Sequence, residues 1–241
     1  MAFHRQVSVF LFRPFVEDGS FPNINYTETA LQSVKVVQQA IRTLSANINA
    51  STIERAIFAR YLVHVVGDIH QPLHSVALYN GTFPSGDRGG NSLHIKLLNS
   101  STQNLHAFWD AGGFGLQNDS WYMVRPLDIQ NTTELKSAAS KIMQEFDSEI
   151  SDLSRILDPS VWAMESFRIA QNTTYPPMFD SNQITADYQK FTYETCRKRV
   201  ALAGYRLANL VIDIYEKNTQ PFDLDAAWLE MKKEVIKVYQ S

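Results

Sequence analysis

Two histidine–aspartate pairs of the same form are the residues of this 241-residue chain best suited to chemistry. Asp68 follows His64 by four positions, and Asp110 follows His106 by four. Because residues i and i+4 share one face of a helix, each pair can offer an imidazole nitrogen and a carboxylate oxygen to one ion. Nitrogen and oxygen ligands without thiolate are typical of zinc, which keeps positions open for water and substrate. The spacing therefore favours a zinc site, although two ordinary helical salt bridges would show the same pattern.

Two more histidines lie close behind the first pair. His70 and His74 flank Pro72, which ends the helix and lets the chain turn back. By spacing alone, either histidine is an acceptable zinc ligand. His94 alternates with apolar neighbours on a possible short strand, so a position facing solvent is favoured over a role as ligand.

Five sequence blocks extend this pattern in order and at compatible spacings over about residues 50–215. They are His64-x-x-Gly67-Asp68-x-His70-Gln71-Pro72-Leu73-His74, Gly86-Asp87-x-Gly89-Gly90-Asn91, Asn104-Leu105-His106-x-x-Trp109-Asp110, Trp162-Ala163-x-Glu165-Ser166, and Arg199-Val200-x-x-Ala203-Gly204-x-Arg206-Leu207-Ala208. Together they resemble the zinc-dependent single-strand nucleases of fungi and plants. The resemblance implies an all-α fold similar to zinc phospholipase C.

The same resemblance implies three zinc ions, cleavage of single-stranded DNA and RNA to 5′-nucleotides and, in many members, removal of 3′-phosphates. Carried over by motif, one complete zinc site consists of His74, His106 and Asp110. His64 and Asp68 contribute to a second site. Asp68 also bridges to a third ion, and it is the expected catalytic residue.

The family pattern also separates ligands from non-ligands, and this chain departs from it at the amino end. His70 is not a ligand there, so we expect it to pack or to form a hydrogen bond behind a ligand. The family begins with a tryptophan that binds zinc, then a histidine, a Trp-Ala-Asp segment and a Trp-His-aromatic motif. Of these, only the last has a candidate counterpart, Phe3-His4, which makes His4 a possible further ligand. We therefore expect this chain to be a fragment of such a nuclease, with weak or no nuclease activity by itself. The alternative is a degenerate, non-catalytic relative that binds one zinc.

The loop and aromatic residues of these blocks have simpler roles. Gly89 and Gly90 are expected to let the backbone turn tightly near the site. Asn91 either fixes that loop or contacts substrate. Trp109, beside a ligand on a helix, is expected in the core. Three further aromatic residues are candidates for stacking against bases: Phe83, Phe108 and Phe114.

The composition limits the classes of function. A net charge of −3 provides no basic surface for a nucleic acid or nucleotide substrate, so metal ions would have to supply positive charge. No apolar run approaches the length of a membrane span, and a monomer without a protein partner is expected. A phospholipase C-like phosphodiesterase and a helical structural protein with ordinary salt bridges remain as alternatives.

Seven Asn-X-Ser/Thr sequons predict glycosylation and hence a secreted or luminal protein. The single cysteine, Cys196, gives no support for an oxidising compartment, because it has no partner for an intrachain disulfide. The apolar run at residues 7–12 is shorter than a signal-peptide core of about 7–15 residues. The sequons are Asn25, Asn49, Asn80, Asn99, Asn118, Asn131 and Asn172.

Helical periodicity over the rest of the chain indicates one all-α domain over residues 1–241, with residues 1–25 atypical and a loop-rich or β-hairpin insertion at about 78–103. A capping box at Ser51 and Glu54 predicts a helix to about Gly67. Asp158-Pro159 opens another helix, and others are predicted near 30–44, near 106, and at 133–156, 184–216 and 224–239. The predicted buried stripe of the 184–216 helix is Val200, Ala203, Leu207, Leu210 and Ile214.

Overall fold

A computed structural model describes residues 13–16, 32–45, 50–116 and 129–217 of the chain. Helices make up most of these residues, which confirms the predicted all-α class. The helices are α1 (Gln32–Leu44), α2 (Thr52–His70), α3 (Leu105–Asp110), α4 (Ile129–Ile150), α5 (Pro159–Ile169), α6 (Pro176–Asp180) and α7 (Ala186–Lys217).

Two small sheets accompany the helices. Strand β3 (His94–Lys96) pairs with β4 (Thr102–Asn104) in an antiparallel hairpin, inside the segment predicted to hold one. Strand β1 (Arg13–Val16) pairs in parallel with β2 (Val76–Tyr79). The sequence did not predict this parallel pair, because its strands are four residues long and lie far apart along the chain.

Helix α2 begins where its capping box predicts. The Ser51 side chain accepts a hydrogen bond from the Glu54 backbone N–H, and the Glu54 carboxylate accepts one from the Ser51 N–H. The helix continues past Gly67 to His70, a little further than predicted. Pro72 then starts a 3₁₀ turn at Pro72–Ser75, since its fixed φ and missing N–H suit the first position of a new helical turn.

Helix α4 begins earlier than the predicted 133–156 and ends at Ile150, followed by a 3₁₀ turn at Leu153–Arg155. Helix α5 opens as predicted, with the Asp158 carboxylate accepting a hydrogen bond from the Ser160 N–H and Pro159 in the first turn. None of the described helices combines the length and apolar character needed to cross a membrane. The helix predicted at 224–239 lies outside the described residues.

The prediction for the buried face of α7 was wrong at one position. Val200 is 54% exposed, whereas Ala203, Leu210 and Ile214 are buried as predicted. The buried face passes instead through two arginines, Arg199 and Arg206. Apolar periodicity does not detect buried arginines, which are stable in the interior only because other elements supply their partners.

Two apolar clusters meet at the end of α2. One packs α1, α2 and α7 around Trp162, which is completely buried, and it includes Ile69 near the end of α2. The other surrounds α3 and includes Leu73 and Trp109. The end of α2, the following turn and α3 are thereby held between two close-packed regions, which fixes the residues that project from them.

Candidate metal centre

The exposed face of α2 presents the first predicted pair. The His64 Nε2 lies 3.2 Å from one carboxylate oxygen of Asp68, one helical turn further along. The His64 side chain is 65% exposed, so it stands at the solvent edge of the site. Asp68 turns its other carboxylate oxygen toward His74, 3.6 Å from its Nδ1, and therefore lies between the two histidines.

The turn after α2 brings His74 back to the site. Its Nε2 lies 3.3 Å from the Asp110 carboxylate of α3, and its ring stacks on that of His106 at 4.9 Å between centroids. Gln71 fixes the turn, because its side-chain oxygen accepts the Leu73 N–H and its Nε2 donates to Asp110 at 2.8 Å. Gln71 therefore links the end of α2 to α3, a role that its position in the motif did not reveal.

Helix α3 carries the second predicted pair. Its first turn is capped by Asn104, whose side-chain oxygen accepts the Ala107 N–H at 2.7 Å. The Nδ1 of His106 lies 2.7 Å from the Gly89 carbonyl. Because a carbonyl only accepts, Nδ1 carries the proton and Nε2 presents its lone pair, 3.5 Å from the Asp110 carboxylate.

Three of the predicted ligands form one compact group, here called the metal cluster: His74, His106 and Asp110. One ligand atom from each lies within 4.8 Å of the others. Among the described residues, no other set of three or more histidine, cysteine, aspartate or glutamate side chains brings its ligand atoms this close together. Two imidazoles and a carboxylate suit zinc with a fourth position open. The donor set therefore fits the ion that the sequence predicts.

The metal cluster opens into a cleft of about 960 Å³ between α2, α3 and α7. His64 and Asp68 line the same cleft, so the structure brings five of the six predicted ligands to one place. Exposed apolar side chains, including Ile57, Tyr61 and Val200, line the wall beside them. The sixth candidate, His4, lies outside the described residues.

Burial and neighbouring charges set the protonation of the cluster. Burial lowers the pKa of His106, outweighing the opposing effect of Asp110, so the imidazole favours its neutral, ligand-competent form. Burial alone would raise the pKa of Asp110. The contact with His74, the nearby imidazole of His106 and the hydrogen bond from Gln71 outweigh that effect and lower the pKa, which keeps the carboxylate ionised.

His70 borders the cleft, but its side chain is buried in the core. Its Nδ1 lies 2.7 Å from the Val66 carbonyl and so carries the proton, and its Nε2 accepts a hydrogen bond from Arg206 at 2.9 Å. Burial, reinforced by the nearby Arg199, holds its pKa well below the ordinary value. Both ring nitrogens are engaged, so His70 has no lone pair for a metal ion.

A network of buried charges holds His70 and the end of α2. Arg199 donates to the His70 carbonyl at 3.0 Å and to Glu165 at 2.9 Å. Arg206 donates to both oxygens of Glu165, each at 2.8 Å. Ser166 donates to the carbonyl of the preceding residue of α2, Ile69. This network ties α5 and α7 to the helix end that carries Asp68.

The loop next to the cluster has the tight geometry expected of its glycines. Gly89 and Gly90 have φ of 63° and 84°, a region that favours glycine. The Asn91 side chain donates to the Arg88 carbonyl at 2.9 Å, which closes the loop. Arg88 itself has φ of 60° and is exposed.

The aromatic residues near the site were predicted only partly correctly. Trp109 is buried as predicted, and its indole N–H donates to the Tyr188 hydroxyl at 3.0 Å. Phe108 was wrongly predicted as a candidate for exposed stacking, because it is completely buried in the core around α3. Phe83 and Phe114 are partly buried against that core.

Comparison with known proteins identifies relatives. The family described as S1/P1 Nuclease matches residues 16–216. Nuclease S1 of Aspergillus oryzae (strain ATCC 42149 / RIB 40) is 26% identical over 187 residues, which are 73% of this chain and 60% of that protein. Endonuclease 4 of Arabidopsis thaliana is 26% identical over 72% of this chain and 56% of its own length. Nuclease P1 of Penicillium citrinum is 26% identical over 65% of this chain and 57% of its own length. The match thus spans 60% or less of these relatives.

Proposed function

Because this chain belongs to the S1/P1 nuclease family, we propose that it acts in the metal-dependent hydrolysis of phosphodiester bonds in single-stranded DNA and RNA. The observation that carries the proposal is the metal cluster, whose three ligand atoms lie within 4.8 Å of one another and whose residues line an open cleft. The names of the relatives, which are nucleases and endonucleases, agree with this chemistry.

Zinc is the ion we propose for this cluster. When bound, it would offset the negative charge of the phosphodiester and supply hydroxide near neutral pH. The chain's own residues orient the ligands: Gly89 holds the His106 ring and Gln71 holds the Asp110 carboxylate. His64 and Asp68 present a further imidazole and carboxylate beside the cluster and are proposed as ligands of a second ion.

The cleft favours a single strand as substrate. Its wall carries exposed apolar side chains beside the cluster, including Ile57, Tyr61 and Val200. Single strands expose base faces that can pack on such side chains, whereas a duplex hides them. The formal charge of −3 provides no general attraction for a phosphate backbone, so binding depends on the bound ions and on contacts with bases.

The test is hydrolysis of a single-stranded oligonucleotide compared with its duplex, with products identified by mass spectrometry. We expect slow, chelator-sensitive cleavage of the single strand to products with 5′-phosphates, because the described residues offer a complete ligand set to one ion and two ligands to another. His106→Ala should abolish cleavage, and His94→Ala, an exposed histidine outside the cluster, should retain it. Equal cleavage by His106→Ala or by chelated protein would overturn the proposal.

We also propose that the protein is secreted or luminal and glycosylated. Asn99 and Asn172 are exposed, and Asn80 is half-buried, so these sequons lie at the surface. Asn25, Asn49 and Asn118 lie outside the described residues, as does the side chain of Asn131. Expression in a glycosylating secretory host should give a mass that falls on glycosidase treatment, with smaller shifts in Asn99→Gln and Asn172→Gln. A mass unchanged by glycosidase would contradict the assignment.

A further inference from the structure

A buried carboxylate next to the metal cluster has a role beyond packing. Asp87 has no exposed surface. One carboxylate oxygen accepts the backbone N–H groups of Leu78 at 2.8 Å and Gly89 at 3.0 Å. The other accepts the Gly90 N–H at 2.8 Å and the Tyr175 hydroxyl at 2.7 Å. All four hydrogen-bond partners of the Asp87 carboxylate therefore donate to it.

This set of partners favours the ionised form. A carboxylate accepts all four hydrogen bonds, and three of them come from backbone N–H groups, which can only donate. Burial raises the pKa of Asp87 above its ordinary value, and the hydrogen bonds from Tyr175 and the backbone act against that increase. The fold therefore uses three backbone N–H groups and a buried phenol to keep one charge in the interior, close to the cleft.

The segment that Asp87 holds is the one that holds a proposed ligand. The Gly89 carbonyl accepts the Nδ1 proton of His106 at 2.7 Å, and the Gly90 carbonyl accepts the His106 backbone N–H at 3.3 Å. Asp87 fixes the N–H groups of the same two glycines. The orientation of the His106 ring thus depends on a loop whose conformation is set by one carboxylate.

We propose that Asp87, together with Tyr175, is a positioning residue that fixes the ring orientation and tautomer of His106 through the Gly89 carbonyl. The inference rests on the proposed metal centre and extends it by one layer of contacts. Hydrogen-bonding partners behind a metal-binding histidine typically change metal affinity by about 10–100-fold when they are replaced.

Two substitutions separate this role from ordinary packing. Asp87→Asn keeps the shape and one oxygen, but its amide nitrogen faces the Gly90 N–H, a donor against a donor. The loop must then shift, and the Gly89 carbonyl moves with it. Tyr175→Phe removes one hydroxyl and leaves the carboxylate with its three backbone donors, so its effect should have the same direction and a smaller size.

The first readout is metal affinity, measured by titrating the metal-free full chain with Co²⁺ and following its absorption spectrum. Because Asp87 acts on His106 through the Gly89 carbonyl and not directly, we expect Asp87→Asn to weaken binding about 10-fold, the lower end of that range, and Tyr175→Phe to weaken it less. The control is Ile150→Ala, which opens a cavity in the core between α4 and α7 and should lower the melting temperature without changing Co²⁺ affinity.

The second readout is the tautomer of His106, observed by ¹⁵N NMR of the metal-free protein above the pKa of its imidazole. Wild type should show the proton on Nδ1, and Asp87→Asn should show a mixture. His70 is an internal control, since its Nδ1 contacts the Val66 carbonyl and its tautomer should not change.

Unchanged Co²⁺ affinity and an unchanged His106 tautomer in folded Asp87→Asn would overturn the positioning role and leave the proposed function standing. If Asp87→Asn does not fold, Tyr175→Phe decides by the same two readouts. Wild-type protein that binds no Co²⁺ would overturn the metal centre, and this inference with it.

Discussion

Two ligands of the metal cluster, His106 and Asp110, are held in place by hydrogen bonds from residues outside the cluster. The Gly89 carbonyl takes the Nδ1 proton of His106 and turns Nε2 toward Asp110. Gln71 donates to the same carboxylate and holds it in place. Ligands fixed in this way lose little conformational entropy on binding an ion, which favours a preformed site.

The prediction at the residue scale concerns Gly90. Its φ is +84°, and a Cβ there would lie 3.2 Å from the His106 backbone nitrogen and 3.3 Å from a methyl group of Leu73. Gly90→Ala should therefore lower the free energy of unfolding by about 1 kcal/mol or more and weaken metal binding. Urea denaturation measures the first effect. Gly81→Ala is the matched control, since nothing lies within 4 Å of its added Cβ, and a Gly90 variant as stable as that control would refute the argument.

Spacing alone identified the candidate residues but could not divide them into ligands and non-ligands. His70 and His106 both place Nδ1 against a backbone carbonyl. They differ in what faces Nε2, which is the Arg206 guanidinium for His70 and the Asp110 carboxylate for His106. Arg206 is 136 residues from His70 along the chain, so local sequence contains no trace of the contact; the family resemblance supplied the distinction.

The elements that carry the site are joined by buried charges as well as by apolar packing. Glu165 on α5 receives hydrogen bonds from Arg199 and Arg206 on α7. The same arginines contact the carbonyl and the ring of His70 at the end of α2. Three helices therefore meet at one carboxylate, and removing its charge would leave two buried guanidinium groups without an anionic partner.

We predict that Glu165→Gln lowers the free energy of unfolding by about 3 kcal/mol, because breaking a buried pair leaves an uncompensated charge. Glu149→Gln is the matched control: its partner Lys198 and its own side chain are both more than a third exposed, so the loss should be about 1 kcal/mol or less. Urea denaturation of both variants measures the difference. Equal losses would show that the network contributes no more than a surface pair.

The Glu165 carboxylate should make the stability of the folded protein depend on pH in the acidic range. Burial alone would raise the pKa of Glu165, but the hydrogen bonds from Arg206 and Arg199 outweigh it and hold the pKa below its ordinary value of 4.5. The stabilisation is therefore fully present above about pH 4.5 and is lost as the pH falls through the lower, folded value. The melting temperature of Glu165→Gln should fall less steeply below pH 4.5 than that of wild type; parallel curves would contradict this assignment.

Helices with strong local signals were predictable as elements, and long-range contacts were not. The capping box of α2 and the Asp158-Pro159 start of α5 are local features, and both helices begin as predicted. Val200 was misplaced because the buried face of α7 follows Arg199 and Arg206, whose partner Glu165 lies on another helix. The parallel pairing of β1 with β2 likewise joins residues far apart along the chain.

The whole molecule combines a mainly helical scaffold with a formal charge of −3 and an open cleft of about 960 Å³. A protein of this charge does not hold a polyanion by its general surface potential. Cations bound in the cleft therefore have to supply the local positive charge. The central claim of the proposed function is accordingly that the metal cluster binds zinc.

The most direct test of that claim is the zinc content of the purified full chain after dialysis against metal-free buffer, measured by elemental mass spectrometry. Wild type and His94→Ala should retain at least one tightly bound zinc per chain. His106→Ala, which removes one of the three ligands of the metal cluster, should lose that ion while remaining folded by circular dichroism. Wild-type protein without zinc, or His106→Ala with as much zinc as wild type, would contradict the account.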